Sequence, residues 1–293
     1  MTLPRITQAM IDLYDRYTHV TLDRRDLMAR LGQLAGSSAA AAAILPLIEA
    51  QPAAAAIIAE NDKRLSTQTV EWSGGNVHNL SGYLVRPVAA SSRLGAVMVV
   101  HENRGLTPHI RDVARRLALE GFIVLAPDFL SPAGGTPSDE DKARTMIAAL
   151  GQDATVADGV ATLEYLAAIP GANSRVGAVG FCWGGGMVNA VAVAAGRRLR
   201  AGVAYYGPTP PSEMVANIKA HMLLHYAGLD ERIDAGIPAY EHALQAAKVP
   251  YEKFVYPGVN HAFNNDTAVG RYDKAASDLA WGRTVAFLHK AIG

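Results

Sequence analysis

The sequence predicts an α/β fold, with a mostly parallel β-sheet and helices on both of its faces. Two observations lead to this prediction. Continuous apolar runs, such as residues 95–101 (GAVMVVH), are typical of strands that are buried on both faces. Segments of helical length separate these runs, and one of them, residues 110–120, ends at Gly121, a residue that commonly terminates helices. Alternation of buried strands and helices is the pattern of a parallel sheet.

The elements follow in order along the chain. The first two strands, residues 67–72 and 80–85, are separated by the turn Ser73-Gly74-Gly75. The later predicted strands are residues 95–101, 122–126, 175–181, 201–206, 222–227 and 251–256. The predicted helices are residues 110–120, 140–150, 156–168, 184–195, 237–247 and 271–291.

Composition excludes several classes of protein. Of the 293 residues, 50% are apolar and 18% are charged, which is enough apolar material to fill a sizeable core and excludes intrinsic disorder as the overall state. Lys plus Arg and Asp plus Glu are both 27, so the formal net charge is zero. The chain therefore lacks the basic field that a nucleic-acid partner requires.

The first 61 residues differ from the α/β domain predicted for residues 62–293. They are rich in alanine and predict helix. In one interpretation, Arg24 and Arg25 begin a twin-arginine export signal, with a cleavage site in the small residues 50–55. In the other, the segment is an amphipathic helical arm that packs on the body or on a second subunit. The two interpretations leave the location open between cytoplasm and periplasm, and the arm is compatible with a homodimer.

The same segment is not predicted to span a membrane. A span needs about 18–20 consecutive apolar residues. Pro46, Glu49 and Pro52 interrupt the apolar stretch before it reaches that length.

The single cysteine of the chain stands at a predicted strand–turn–helix corner, in the pattern Gly180-x-Cys182-x-Gly184. This is the spacing of a nucleophile elbow, with Cys in the place of Ser. The turn is so tight that side chains two positions before and after the nucleophile would collide, which explains Gly180 and Gly184. The thiol would then lie at a helix N-terminus, whose partial positive charge favours the thiolate.

Three alternative roles fit the residues of this corner less well. A lone cysteine is often a small buried apolar residue, but glycines on both sides favour a nucleophile. A dinucleotide-binding fingerprint requires a different glycine spacing and a later acid. A redox site requires a resolving cysteine, and the chain has one cysteine only.

Two later residues complete the set that a nucleophile needs, in the order nucleophile, acid, histidine. Asp230 follows the predicted strand at 222–227, and His261 follows the strand at 251–256. The carboxyl ends of parallel strands meet at one edge of the sheet, where open α/β sheets place their sites. Asp234 is a competing acid, but Asp230 lies nearer the strand end.

The segment His101-Glu102-Asn103-Arg104-Gly105 follows the strand at 95–101 and reaches the same edge. A zinc motif is rejected here because Gly105 stands where H-E-x-x-H needs its second histidine. The backbone N–H groups of Asn103 and Trp183 are instead predicted to form an oxyanion hole. Glu102 is either a carboxylate beside the thiol or a surface acid paired with Arg104.

These four segments together resemble the dienelactone hydrolase (carboxymethylenebutenolidase) family, from about residue 67 to the C-terminus. The resemblance implies an α/β-hydrolase fold with Cys182 as nucleophile, His261 as base and Asp230 as its orienting acid. It also implies that Glu102 helps to deprotonate the thiol, and that the substrate is a small enol-lactone, with no cofactor and no metal.

One departure from the family concerns the substrate. Members carry an arginine shortly after the histidine to bind the substrate carboxylate, whereas residues 262–266 here are AFNND. Arg104 or Arg144 is the candidate replacement. Two functions are therefore compared: a cysteine hydrolase of activated esters or lactones, and a non-catalytic binder of small molecules that has lost turnover.

Overall fold

The structure is a computed structural model, and it describes residues 6–19, 22–49, 57–75, 78–90 and 92–293. Its centre is a sheet of eight strands, namely β1 (Leu65–Ser73), β2 (Asn79–Pro87), β3 (Leu94–Val100), β4 (Ile123–Asp128), β5 (Ala172–Phe181), β6 (Ala201–Tyr205), β7 (His221–Ala227) and β8 (Tyr251–Tyr256). Their order in space is β1-β2-β4-β3-β5-β6-β7-β8. The strand β2 pairs antiparallel with β1 and β4, and all the other pairs are parallel. The predicted α/β class and the mostly parallel sheet are confirmed.

Helices cover both faces of this sheet. They are α4 (Pro108–Leu119), α5 (Glu140–Ala148), α6 (Gln152–Ala168), α7 (Trp183–Ala195), α8 (Glu231–Asp234), α9 (Ile237–Ala246) and α10 (Lys274–Ile292). One apolar cluster joins the sheet to α6, α7 and α9, and includes Leu163 and Val188. A second cluster joins the opposite face to α4 and α10, and includes Leu117 and Phe287. The central strands, such as β3, β4 and β6, are therefore buried on both faces, which accounts for their continuous apolar runs.

The largest differences from the predicted bounds lie at three termini. The helix α6 begins at Gln152 rather than at residue 156, directly after Gly151. The strand β5 begins at Ala172 rather than at residue 175, because Ala172 continues the pairing with Leu94 across a bulge. The helix α10 begins at Lys274 rather than at residue 271, because the side chain of Asp273 accepts from the Ala276 N–H and caps the helix.

An N-terminal arm of three helices precedes the sheet: α1 (Gln8–His19), α2 (Arg24–Ala35) and α3 (Ser38–Ile48). The arm has a small apolar core of its own, in which Tyr17, Leu27 and Ile44 are buried. Of the alanines at 39–43, Ala41 is buried, whereas Ala39, Ala42 and Ala43 are exposed. The helical prediction is confirmed for the described part of this segment.

The paired arginines and the expected cleavage site are the features on which the export interpretation of the arm depends. Arg24, one of the paired arginines, forms ion pairs with Glu49 and with Asp141 of α5. The small residues expected as a cleavage site lie outside the described residues. Among the described helices, none alone is long and apolar enough to cross a membrane; α2 and α3 reach that measure only jointly, and the chain bends by 108° between them.

The arm lies over the edge of the sheet at which the parallel strands end. Polar contacts hold it there. The backbone N–H of Gly270 donates to the carbonyl of Leu47 at 2.7 Å, and Arg271 Nε donates to the carbonyl of Ile48 at 3.1 Å. Tyr17 donates to Asp141 at 2.6 Å. The arm therefore covers the predicted site.

Candidate active site

Cys182 stands at the corner between β5 and α7, in a conformation that few side chains adopt. Its backbone has φ 56° and ψ −118°. A Cβ atom on Gly180 would lie 2.1 Å from the carbonyl oxygen of Gly184, and one on Gly184 would lie 2.4 Å from that of Val100. Both distances are far inside van der Waals contact, so both positions require glycine. For Gly180 the reason is the predicted tightness of the turn, whereas for Gly184 it is the backbone at the end of β3. The result is a strained corner that presents one thiol.

The thiol lies at the N-terminus of α7, because Cys182 is the residue that precedes the first turn of that helix. Its residue is 5% exposed. The first N–H groups of a helix have no partners within the helix and carry partial positive charge. This position favours a thiolate over a thiol.

Asp230 and His261 form the predicted acid–histidine pair. Asp230 follows β7 and caps α8, and His261 follows β8. The imidazole Nδ1 of His261 lies 2.5 Å from Oδ2 of Asp230, and both residues are buried. Since Nδ1 donates this hydrogen bond, Nε2 is left as an acceptor, and it is buried with no partner among the described residues. Asp234, the competing acid, makes no contact of this kind in the described part of the chain.

The hydrogen bond to the thiol comes from an unexpected residue. His19, the last residue of α1, places Nε2 3.0 Å from Sγ of Cys182. Its ring contacts that of His261, with 4.7 Å between the centroids. The cysteine therefore lies against two imidazoles, one from the arm and one from the sheet.

His19 has a carboxylate beside it, as His261 does. Asp15 stands one turn earlier on α1. The Nδ1 atom of His19 lies 2.9 Å from the carbonyl oxygen of Asp15 and 3.0 Å from its Oδ1. Burial alone would raise the pKa of Asp15, but His261, His19 and Arg232 hold it well below its usual range. Asp15 is thus a half-buried anion that faces both histidines.

The loop after β3 reaches the same place, as predicted. His101 is fully buried and stacks on Trp183, with ring centroids 5.2 Å apart. The carboxylate of Glu102 accepts from Asn265 Nδ2 at 2.8 Å. It borders a cavity of about 20 Å³ that Cys182 also borders. Glu102 therefore lies near the thiol, although the hydrogen bond to Sγ comes from His19.

The predicted oxyanion-hole residues also border the site. Trp183 is the first residue of α7, so its N–H has no acceptor within that helix. Asn103 and Cys182 border the same cavity, of about 240 Å³. The Asn103 side chain donates to the carbonyl of Thr18 at 3.0 Å. The loop that carries one predicted oxyanion donor is therefore tied to the arm.

This larger cavity of about 240 Å³ opens onto the thiol. Cys182, His19 and His261 border it, and so does Arg144 of α5. The Nε atom of Arg144 is buried, and among the described residues nothing accepts from it. Arg104, the other candidate cation, donates to Glu140 and, at 2.6 Å, to the Tyr14 hydroxyl. Both guanidinium groups have partners, since that of Arg144 donates to the Tyr17 carbonyl and lies over the Tyr17 ring. Of the two arginines, however, only Arg144 borders this cavity.

Comparison with known proteins identifies the family. A family model described as "Dienelactone hydrolase family" matches residues 80–292. The chain belongs to this family. A "Putative carboxymethylenebutenolidase" of Salmonella typhi is 33% identical over 220 residues, which cover 70% of this chain and 80% of that protein. A "Probable 2-oxo-3-(5-oxofuran-2-ylidene)propanoate lactonase" of Bradyrhizobium sp. is 30% identical over 242 residues, 76% of this chain and 96% of that one.

A solved structure supports the assignment of the chain to this family. The chain superposes on the "Putative Dienelactone Hydrolase from Klebsiella pneumoniae subsp. pneumoniae MGH 78578" with a TM-score of 0.67 and 28% identity, over 77% of this chain and 99% of that one. The fold is that of the α/β-hydrolases, and membership of this family makes the chain a carboxylic ester hydrolase, for which a small ester or lactone is the fitting substrate class. The residues that match the family model begin after β1, so the arm and its His19 lie outside that match.

The two histidines and the cysteine also invite comparison with a metal site. One ligand atom from each of His19, Cys182 and His261 lies within 4.8 Å of the others. In a tetrahedral zinc site, a nitrogen and a sulfur bound to the same ion lie roughly 3.5 Å apart. The 3.0 Å between His19 and Cys182 is the distance of a direct hydrogen bond to sulfur. The His19–Cys182 pair is therefore in direct contact.

Sequence reasoning did not find His19 and Asp15. Their spacing of four residues places them on one face of a helix, and this was the available signal. Nothing in that spacing tells which surface the helix covers.

Proposed function

We propose that this dienelactone hydrolase cleaves activated esters or lactones by a Cys182–His261–Asp230 triad, through a thioester acyl-enzyme. The observation that carries the proposal is the strained corner at Cys182, which presents the thiol at a helix N-terminus beside the His261–Asp230 pair. Strain of this kind persists where the surroundings impose it, and such positions cluster at active sites.

The roles follow from the contacts. The thiolate attacks the substrate carbonyl, and the N–H groups of Trp183 and Asn103 stabilise the oxyanion; one such donor is typically worth about 3 kcal/mol. His261 holds its Nδ1 proton against Asp230, so its Nε2 is a free acceptor for a proton of the water that cleaves the thioester. The hydrogen bond from Asn265 holds Glu102 near the Cys182 thiol.

The substrate class follows from the family and from the cavity. The resemblance implies an enol-lactone that bears a carboxylate, and the Bradyrhizobium relative is named for a lactone of that kind. A cavity of about 240 Å³ suits a small molecule. Arg144 borders it with a buried Nε that has no acceptor among the described residues, and we assign it as the cation for that carboxylate.

We divide the chain into an arm, residues 1–61, and a catalytic domain, residues 62–293. The contacts from Arg104, Arg144 and Arg271 to the arm support an arm that stays on the domain during turnover.

The test is hydrolysis by the wild type and by Cys182→Ala, on p-nitrophenyl acetate and on cis-dienelactone. We expect turnover of both substrates by the wild type and of neither by the variant. Cys182→Ser is the matched control, because it keeps the size of the side chain and changes only the nucleophilic atom. Retained turnover in a folded Cys182→Ala protein would exclude the triad. Absence of turnover in a folded wild type would instead favour a non-catalytic binder.

A further inference from the structure

The arm brings to the active site a histidine that the matched family region does not contain. The hydrogen-bond partner of the Cys182 thiol is His19 Nε2, at 3.0 Å, and not the histidine of the predicted triad. His261 Nε2 has no hydrogen-bond partner in the described part of the chain. Two imidazoles thus stand at one sulfur with different contacts, which indicates two different tasks.

We propose that His19 is a catalytic residue that holds the proton of Cys182 in the resting enzyme, so that the N-terminal arm completes the active site. This inference rests on the proposed function. It assigns the activation of the nucleophile to the arm and leaves the activation of water to His261.

The contacts around His19 suit a protonated imidazole. Its Nδ1 atom donates to the carbonyl oxygen of Asp15 and lies 3.0 Å from the Oδ1 atom of that carboxylate, and its Nε2 faces the sulfur. Arg232 contacts the other carboxylate oxygen of Asp15 at 3.2 Å and so fixes that carboxylate. Burial lowers the pKa of His19, but the sulfur of Cys182 and the carboxylate of Asp15 more than offset this effect, and the pKa is raised.

The position of His19 depends on how the arm is attached. The carbonyl of Thr18, the preceding residue, accepts from Asn103, and the carbonyl of Tyr17 accepts from Arg144. Both donors border the cavity of about 240 Å³ at the thiol. The last turn of α1 is thus held by two residues of the site itself, which places its histidine against the thiol.

The proton balance closes over one turnover. The Sγ proton passes to His19 Nε2, which gives a thiolate and an imidazolium. The thiolate attacks the carbonyl carbon, the bond to the leaving oxygen breaks, and the His19 proton goes to that oxygen. Water then attacks the thioester and gives one proton to His261 Nε2, and the cysteine leaves as a thiolate. The proton on His261 returns to His19 through the sulfur, which restores the resting pair.

The test measures the thiolate directly. The rate of Cys182 alkylation by iodoacetamide is followed against pH in the full-length protein, by intact mass spectrometry. The charged or titratable groups around the His19–Cys182 pair, among the described residues, are Asp15, His261, Arg232, Arg144, Glu102, Tyr206, Tyr14, Arg104 and Arg271. We expect the wild type to be alkylated rapidly at pH values at which an ordinary thiol, with a midpoint of about 8.5, reacts slowly.

In His19→Ala, and in His19→Gln if the first variant does not fold, the midpoint moves up by at least one unit. The alkylation rate near pH 6.5 then falls by about ten-fold or more, because each unit of thiol pKa removes about nine-tenths of the thiolate at a pH below both midpoints. Asp15→Asn moves the midpoint in the same direction by less. His242→Ala, on the exposed side of α9, and Asp12→Asn, on the exposed side of α1, leave the profile unchanged.

Three results would overturn the proposal. His19→Ala could keep the wild-type profile, or it could react and turn over faster than the wild type, as removal of a blocking residue would. Alternatively, Glu102→Gln or His261→Asn could raise the midpoint while His19→Ala does not. Failure of the proposed function is a separate result, since it appears as hydrolysis that survives Cys182→Ala, whereas the alkylation profile reports on His19 in either case.

Discussion

Arg104 donates a hydrogen bond at 2.6 Å to the hydroxyl of Tyr14, which ties the loop after β3 to the first helix of the arm. The same guanidinium is paired with Glu140. A cation with two such partners holds the arm in place. Arg144, the other candidate, also contacts the arm through the Tyr17 carbonyl, but it borders the cavity at the thiol, and it is therefore the arginine that we propose as the substrate cation.

Arg144→Gln should weaken the binding of charged substrates selectively. A hydrogen bond to a charged group is worth about 1.5–3 kcal/mol, so KM for cis-dienelactone should rise by about ten-fold or more, with KM for p-nitrophenyl acetate nearly unchanged. Steady-state kinetics on the two substrates measure this difference. Arg104→Gln is the control, since both arginines contact the arm; an equal rise in KM for cis-dienelactone in both variants would contradict the assignment.

Asp230→Asn should slow turnover by about 10³-fold or more, because the amide no longer fixes the His261 tautomer or stabilises the imidazolium. Asp234→Asn is the matched control on the same short helix. Burial and the Asp230 charge raise the pKa of Asp234 to about 6, so it is already partly protonated near neutral pH and its loss should cost little. A larger loss of kcat in Asp234→Asn than in Asp230→Asn would make Asp234 the orienting acid.

Gly184→Ala should destabilise the protein strongly, because its Cβ would lie 2.4 Å from the Val100 carbonyl oxygen and 2.5 Å from that of His101. Both oxygens are backbone atoms and cannot move aside. Gly282→Ala, in the exposed side of α10, meets no atom within 4 Å and should stabilise the protein by about 0.5–1 kcal/mol. Urea unfolding of the two variants compares them. Equal stability would mean that the corner at Cys182 is not strained.

His225 should make the protein less stable as the pH falls. Burial, together with Arg283, lowers its pKa to about 3. Below about pH 6.5 the unfolded chain binds a proton that the folded chain does not, so the free energy of unfolding declines by up to about 1.4 kcal/mol per pH unit. The stabilisation from neutral His225 is complete above about pH 6.5, and about 2 kcal/mol of the free energy of unfolding should be lost by pH 5.

Urea unfolding at several pH values measures this effect. His225→Gln should remove this part of the pH dependence, whereas His242→Gln, which replaces an exposed histidine, should keep it. If His225→Gln retained the full wild-type pH dependence, His225 would not be the group responsible.

The sheet could be predicted from the sequence because its central strands are buried on both faces. The β3 segment, for example, contains no polar residue that would favour an exposed position. The predicted site follows from the same property. Cys182, Asp230 and His261 each come directly after a parallel strand, and such strand ends meet at one edge. Local patterns therefore fixed both the elements and the residues that they carry.

The part played by the arm could not be predicted in this way. His19 and Cys182 are 163 positions apart, and an amphipathic helix shows which of its faces is buried but not which surface it covers. The surface is chosen by single polar contacts, such as that of Arg104 with Tyr14 and that of Asn103 with the Thr18 carbonyl. Contacts of this kind leave no periodic signal in a sequence.

The most direct test of the account is to trap the acyl-enzyme. Wild-type protein is mixed with p-nitrophenyl acetate, quenched in acid within the first turnover, digested and mapped by mass spectrometry; His261→Asn is treated in the same way to prolong the intermediate. The account predicts one acetyl group, on Cys182, that accumulates further in His261→Asn. Acetyl on another residue, or release of p-nitrophenol with no acetylated protein in either sample, would contradict it.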